Sequence, residues 1–173
     1  MAMSLEDRAK EILSDHFPQV IVQPASISGK YHIGETVREH LELTANVMRH
    51  LCNEFNIHGG DRDMLIACSY LHDLALYVIT RKGEVDEEGW KYYPKTGWSR
   101  LSCAMKKHGS LSAELIDMYA IERSEIIKDI VKTHMSHWYK DEPQPKTFYQ
   151  RLLCIADYVA SRGTGILEYE EER

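Results

Sequence analysis

An aspartate and a histidine, Asp73 and His72, sit inside the run ACSYLHDLALYVI at residues 67–79, where nearly every other side chain is apolar. A carboxylate withdrawn from water is strongly destabilising unless something compensates it. Other polar groups fall at comparable places. His40 lies three residues after Val37 and four before Thr44, on the apolar stripe Val37, Leu41, Thr44, Met48, Leu51, Phe55. His134 continues the row Ile127, Ile130, Val131, with His137 one turn further on, and Asp157 falls between Leu153 and Ala160 in LLCIADYVA. A single histidine on an apolar face is more often a satisfied core residue than a ligand. Two buried carboxylates among several buried imidazoles are different, because each needs its own partner. One shared cation satisfies them together, and imidazole with carboxylate suits first-row divalent metals.

Helices have to bring these groups together. Ser4, with Asp7 three residues on and Pro18 beyond the end, predicts a helix over about 5–16. A long amphipathic helix follows the loop that contains Pro24, Ser26, Ser28 and Gly29. Gly59, Gly60 and Asp61 start a third helix, about 62–77, apolar on nearly every side and therefore central. Further helices are expected at about 100–107, 110–119, 123–137 and 147–162, with the acidic tail 166–173 frayed. Between Thr80 and Ser99 no period fits a stretch with two tryptophans and two tyrosines, and a loop of that length in a compact domain is usually a functional lid or a mobile segment. No strand is expected. The fold class is all-α, a helical bundle.

Composition bounds the rest. With 173 residues, 43% of them hydrophobic, the chain can bury one core but not two, so one domain over 1–173 is expected. The net charge of -6 and the lack of a basic tract exclude duplex nucleic acid as a partner. Cys52, Cys68, Cys103 and Cys154 are scattered, with no Cys-x-x-Cys, as in reduced packed thiols. No apolar run approaches the roughly 20 residues of a membrane span. A cytoplasmic location is therefore expected, with no membrane partner; the oligomeric state is not legible.

The order His40, His72-Asp73, His108, His134, Asp157 resembles the signature of the HD-domain superfamily of metal-dependent phosphohydrolases. The local contexts are also similar: GETVREHLELTANV around the first histidine, CSYLHDLA around the HD pair, KKHGSLSAELI at the third histidine, then IVKTHMSHW and CIADYVASR. The resemblance covers about residues 30–162. It implies a bundle of the HD-domain type and the family's dinuclear form, because both additional histidines, His108 and His134, are present. One divalent transition-metal ion (Fe, Mn, Co, Ni or Zn) would then be held by His40, His72, Asp73 and Asp157, and a second by His108 and His134, with Asp73 bridging. Some dinuclear relatives carry adjacent histidines in the fourth segment. Here Met135 takes the second place, and His137 either substitutes for it or faces the substrate. The lysine shortly after the HD pair and the Gly-Tyr-Pro motif of certain cyclic-dinucleotide phosphodiesterases are both missing, which disfavours that activity.

The activity so implied is hydrolysis of a phosphate ester or anhydride of a small nucleotide-like substrate by a metal-activated water, without a side-chain nucleophile. His137 or His108 would protonate the leaving oxygen, His137 being favoured because His108 is taken by metal. Candidates for the anionic substrate are Arg162 above all, then Arg151, Lys30 and Arg81, with Trp98 on the long loop able to stack on a base. Each basic residue taken alone is more often a solvated surface charge. Two other classes stay open on ligands alone: a di-iron oxygenase acting on a small molecule, and a non-catalytic domain that keeps its metal as a staple or ligand sensor.

Overall fold

Ser4 caps the first helix as the sequence predicts: its Oγ accepts the Asp7 amide at 3.0 Å and donates to the Asp7 carboxylate at 2.7 Å. The structure, a computed structural model, describes residues 3–16, 25, 35–76, 80–81, 85–86, 89–90, 93–94 and 106–171, with the strands and residues 163–171 described by backbone alone. Among these residues there are six α-helices: α1 (Leu5–His16), α2 (Val37–Glu54), α3 (Gly59–Leu71), α4 (His108–Ile116), α5 (Ser124–Val131) and α6 (Phe148–Glu171). A short 3-10 helix, His134–His137, lies between the last two. The fold is all-α.

Helix α3 is central, as its all-round apolarity predicts, and every residue from Met64 to Leu71 is buried. Helices α1, α2, α5 and α6 pack against it. Its entry uses Gly59 at φ +60, a left-handed conformation that favours glycine. Helix α2 opens on a full capping box, in which Thr36 Oγ1 accepts the Glu39 amide at 3.2 Å and the Glu39 carboxylate accepts the Thr36 amide at 2.7 Å. Helix α1 is fastened at a distance. The Asp63 carboxylate accepts the Leu5 and Glu6 amides at 2.7 and 3.0 Å, satisfying two of the donors a helix start leaves open. Behind that contact Ala9 and Ile12 enter the core.

Four expectations need correction. The third helix ends at Leu71 instead of near 77, and the predicted helix over 123–137 stops at Val131 before resuming as the 3-10 turn. At the end of α3 a histidine ring takes up the carbonyl that the next helical amide, that of Asp73, would have used, His72 Nδ1 lying 2.8 Å from Ser69 O. Past α5 the ladder tightens at Thr133, whose amide turns to Ile130 O at 3.3 Å, and His134 Nδ1 lies 2.8 Å from Val131 O. The tail expected to fray instead continues α6 to Glu171. The stretch read as a strandless loop contains two antiparallel ladders, β1 (Thr80–Arg81) with β4 (Tyr93–Pro94) and β2 (Val85–Asp86) with β3 (Gly89–Trp90). Strands of two residues are too short to leave a readable alternation. The helix expected at about 100–107 lies almost wholly outside the described residues, as does Cys103.

Candidate metal centre

Six side chains from five separate segments of the sequence meet in one buried cluster. His40 comes from α2, His72 and Asp73 from the turn that ends α3, His108 from the first position of α4, His134 from the 3-10 helix and Asp157 from α6. None is more than 6% exposed.

The cluster has two halves that share Asp73. On one side, Asp73 Oδ2 lies 3.5 Å from His40 Nε2 and 3.3 Å from His72 Nε2, and Asp157 Oδ1 lies 3.2 and 3.6 Å from the same two nitrogens. On the other side, Asp73 Oδ1 lies 3.1 Å from His108 Nε2 and 3.5 Å from His134 Nε2. Within each half two imidazole nitrogens face each other, His40 and His72 at 3.2 Å and His108 and His134 at 3.0 Å.

These distances make the cluster a fit for cations. His72 and His134 point Nδ1 at a backbone carbonyl, which fixes the proton there and leaves the Nε2 lone pair aimed inward. Lone pairs opposed at about 3 Å repel unless a proton or a metal lies between them. His40, His72 and Asp157 form one set able to hold a metal, and His72, Asp73 and His134 another.

Electrostatics point the same way. Burial opposes ionisation of Asp73, but the imidazoles of His72, His108 and His134 outweigh it and hold the carboxyl well below the usual range. Burial of Asp157 is likewise outweighed, there by His40 and His72. Burial also works against a charged His72, yet Asp73 and Asp157 beside it push its pKa up to about 9. His134 moves the other way. Burial lowers it, and the nearby His108 and His72 add to that effect. In the metal-free protein the cluster thus keeps its carboxylates charged and concentrates a proton on His72, as a site does when positive charge belongs at its centre.

Two contacts behind the clustered side chains are not evident from the sequence. Ser112, four residues after His108 on α4 and fully buried, accepts the Ala75 amide on its Oγ at 3.0 Å. This ties the turn after Asp73 to the helix that carries His108. Gly109 backs the His134 ring so closely that a Cβ there would lie 3.2 Å from its Cε1 and Nδ1. The signal for Ser112 was its i,i+4 spacing from a polar residue already singled out.

His137 lies at the margin. Its Nε2 is 4.0 Å from Asp157 Oδ2, its side chain is 21% exposed, and burial lowers its pKa despite the opposing Asp157 charge. Met135, beside it in sequence, is buried. Arg162 lies near the same place, its guanidinium carbon 5.2 Å from the centre of the Tyr158 ring and 5.8 Å from that of Trp138. Arg151 is exposed on α6. Lys30 and Trp98 lie outside the described residues, and Arg81 is described by its backbone only.

A family model described as HD domain matches residues 37–162. No curated protein and no solved structure matches the chain.

Proposed function

This chain belongs to the HD-domain family, and on that premise we propose that it is a dinuclear metal-dependent phosphohydrolase acting on a phosphate ester or anhydride of a small nucleotide. The family indicates a hydrolase dependent on divalent metal. The observation that supports the finer reading is the division of Asp73, one carboxylate oxygen toward His40 and His72 and the other toward His108 and His134. His40, His72, Asp73 and Asp157 would hold one ion, and His108 and His134 with the other oxygen of Asp73 a second. Bound there, divalent ions supply Lewis acidity to phosphoryl oxygens and lower the pKa of a coordinated water.

The remaining roles fall to the margin of the cluster. His137 would give a proton to the leaving oxygen, a reading supported by its partly exposed side chain, 4.0 Å from Asp157 and outside the buried set. His108 is engaged with Asp73 and His134, which supports leaving the acid role to His137. Arg162 would take up substrate phosphate. The buried surroundings of the six donors keep bulk water out, so that charge developing on the substrate is met by fixed groups.

The test is a panel of nucleoside mono-, di- and triphosphates, dinucleoside polyphosphates and cyclic nucleotides offered to metal-reconstituted protein. Turnover without dioxygen, with one heavy oxygen from labelled water on a phosphoryl product, is expected. A strict need for dioxygen would select the oxygenase class, and no turnover with any phosphorylated compound would select the non-catalytic one.

A further inference from the structure

Beside the metal cluster four side chains from two elements form a second group. Tyr158 and Arg162 are one helical turn apart on α6, the spacing at which side chains meet. His137 and Trp138 come from the end of the 3-10 helix. The His137 ring lies 4.7 Å from that of Trp138 and stands edge-on to Tyr158 at 5.4 Å, and the Trp138 and Tyr158 rings are 5.9 Å apart. Arg162 lies over both aromatic rings at distances where the ring quadrupole attracts a cation. Tyr158 is still 44% exposed, although it directly follows the buried Asp157. An aromatic pair at the edge of a buried polar cluster, touching both groups assigned to the substrate, does more than fill space.

We infer that Trp138 and Tyr158 are positioning residues: together they hold the Arg162 guanidinium and the His137 imidazole on one support, so that a phosphate group beside Asp157 meets both at once. The inference rests on the reading of Arg162 as a phosphate-binding group. An arginine side chain otherwise loses considerable rotamer freedom when it engages an anion, and a guanidinium already held against two rings loses less. The same support fixes the separation between cation and proton donor. The ligand is a phosphate or pyrophosphate group of the substrate, bound through charge and hydrogen bonds at the guanidinium edges.

The test uses metal-loaded full-length protein and inorganic pyrophosphate as the probe. In the wild type the Arg162 side-chain proton resonances should be displaced upfield by the two rings, and Tyr158→Leu should return them toward the values of a solvated arginine. Arg162→Ala and Tyr158→Leu should each weaken pyrophosphate binding about three- to tenfold, with metal content unchanged. The double variant should bind no more weakly than Arg162→Ala, because both changes remove one interaction. Tyr158→Phe, which keeps the ring, should bind like the wild type. An undisplaced Arg162 resonance, or losses that simply add in the double variant, would overturn the support role. Displaced resonances with identical pyrophosphate binding in all variants would instead overturn the phosphate-binding reading of Arg162, and with it this use of the support.

Discussion

Asp73 Oδ1 lies 3.1 Å from His108 Nε2, and that pairing separates the second half of the cluster from the first. The other oxygen of the same carboxylate belongs to His40 and His72. Asp73→Ala should therefore empty both halves, and His108→Ala only one. Elemental analysis should find close to two ions in the wild type, background in Asp73→Ala, and about one in His108→Ala. Turnover should fall by at least about a hundredfold in both, since even residues behind the ligands change activity by about 10- to 100-fold. Full metal content in Asp73→Ala would rule out the shared-carboxylate arrangement.

Gly109→Ala sets two effects against each other. Helix propensity favours alanine over glycine by up to about 1 kcal/mol. The new methyl, however, would lie 3.2 Å from the His134 ring and from Lys132 O, and overpacking of this kind costs about 1–3 kcal/mol. Steric cost should win. The variant should melt lower than the wild type and bind metal at His108 and His134 less tightly, because the displaced atom is the His134 Nδ1 that fixes the ring. A higher melting temperature would mean that the ring yields freely.

The metal-free protein should depend on pH in a way that the loaded protein does not. His72 has a pKa of about 9 in the fold against an ordinary value of 6.5. A raised pKa means that the folded state binds the proton more tightly, so this stabilisation is complete below pH 6.5 and is lost as pH rises toward 9. Asp73 and Asp157 act oppositely. Their lowered pKa values contribute stability above the ordinary 3.8 that disappears on acidification. Thermal melts of chelator-treated protein should decline from pH 6.5 to 9, and metal should flatten that decline by taking the proton's place, with proton release on uptake at neutral pH.

Thr36→Ala should cost about 1 kcal/mol, the usual worth of an N-cap side chain. It removes the Oγ1 that accepts the Glu39 amide at the start of the helix carrying His40. A drop in denaturation midpoint with an unchanged denaturant slope would be the expected result. Because His40 lies one turn inside the cap, metal content should hold.

Much of this arrangement was legible because burial and helical spacing act on polar residues as they do on apolar ones. His40 sits on the stripe that also buries Leu41, Thr44 and Met48, and Asp157 sits between Leu153 and Ala160, so their inward direction followed from their neighbours. The first helix was readable at both ends from Ser4 and Pro18. What escaped was decided by side chains acting on the backbone. Nothing in the apolar pattern announces that His72 takes a carbonyl three residues back where α3 ends, or that the Thr133 amide and the His134 ring each do the same just past α5. The Thr36 capping box is present in the sequence as T-x-x-E but is a weaker signal than the apolar stripe beside it. Trp138 and Tyr158 follow a predicted site residue directly in sequence, and only the i,i+4 step from Tyr158 to Arg162 marked them out.

The anchoring of α1 by Asp63 also bears on how the molecule opens. The Leu5 and Glu6 amides have their acceptor 58 and 57 residues away in sequence, whereas amides inside α1 are bonded within the helix. Those two amides are therefore protected from deuterium only while α1 is docked on α3. Their exchange reports detachment of α1 as a unit, and α3 can keep its own protection while that happens. A first helix that leaves separately would uncover Ile12 and its counterparts on α3 without disturbing the ligand-bearing turns at His72 and His134.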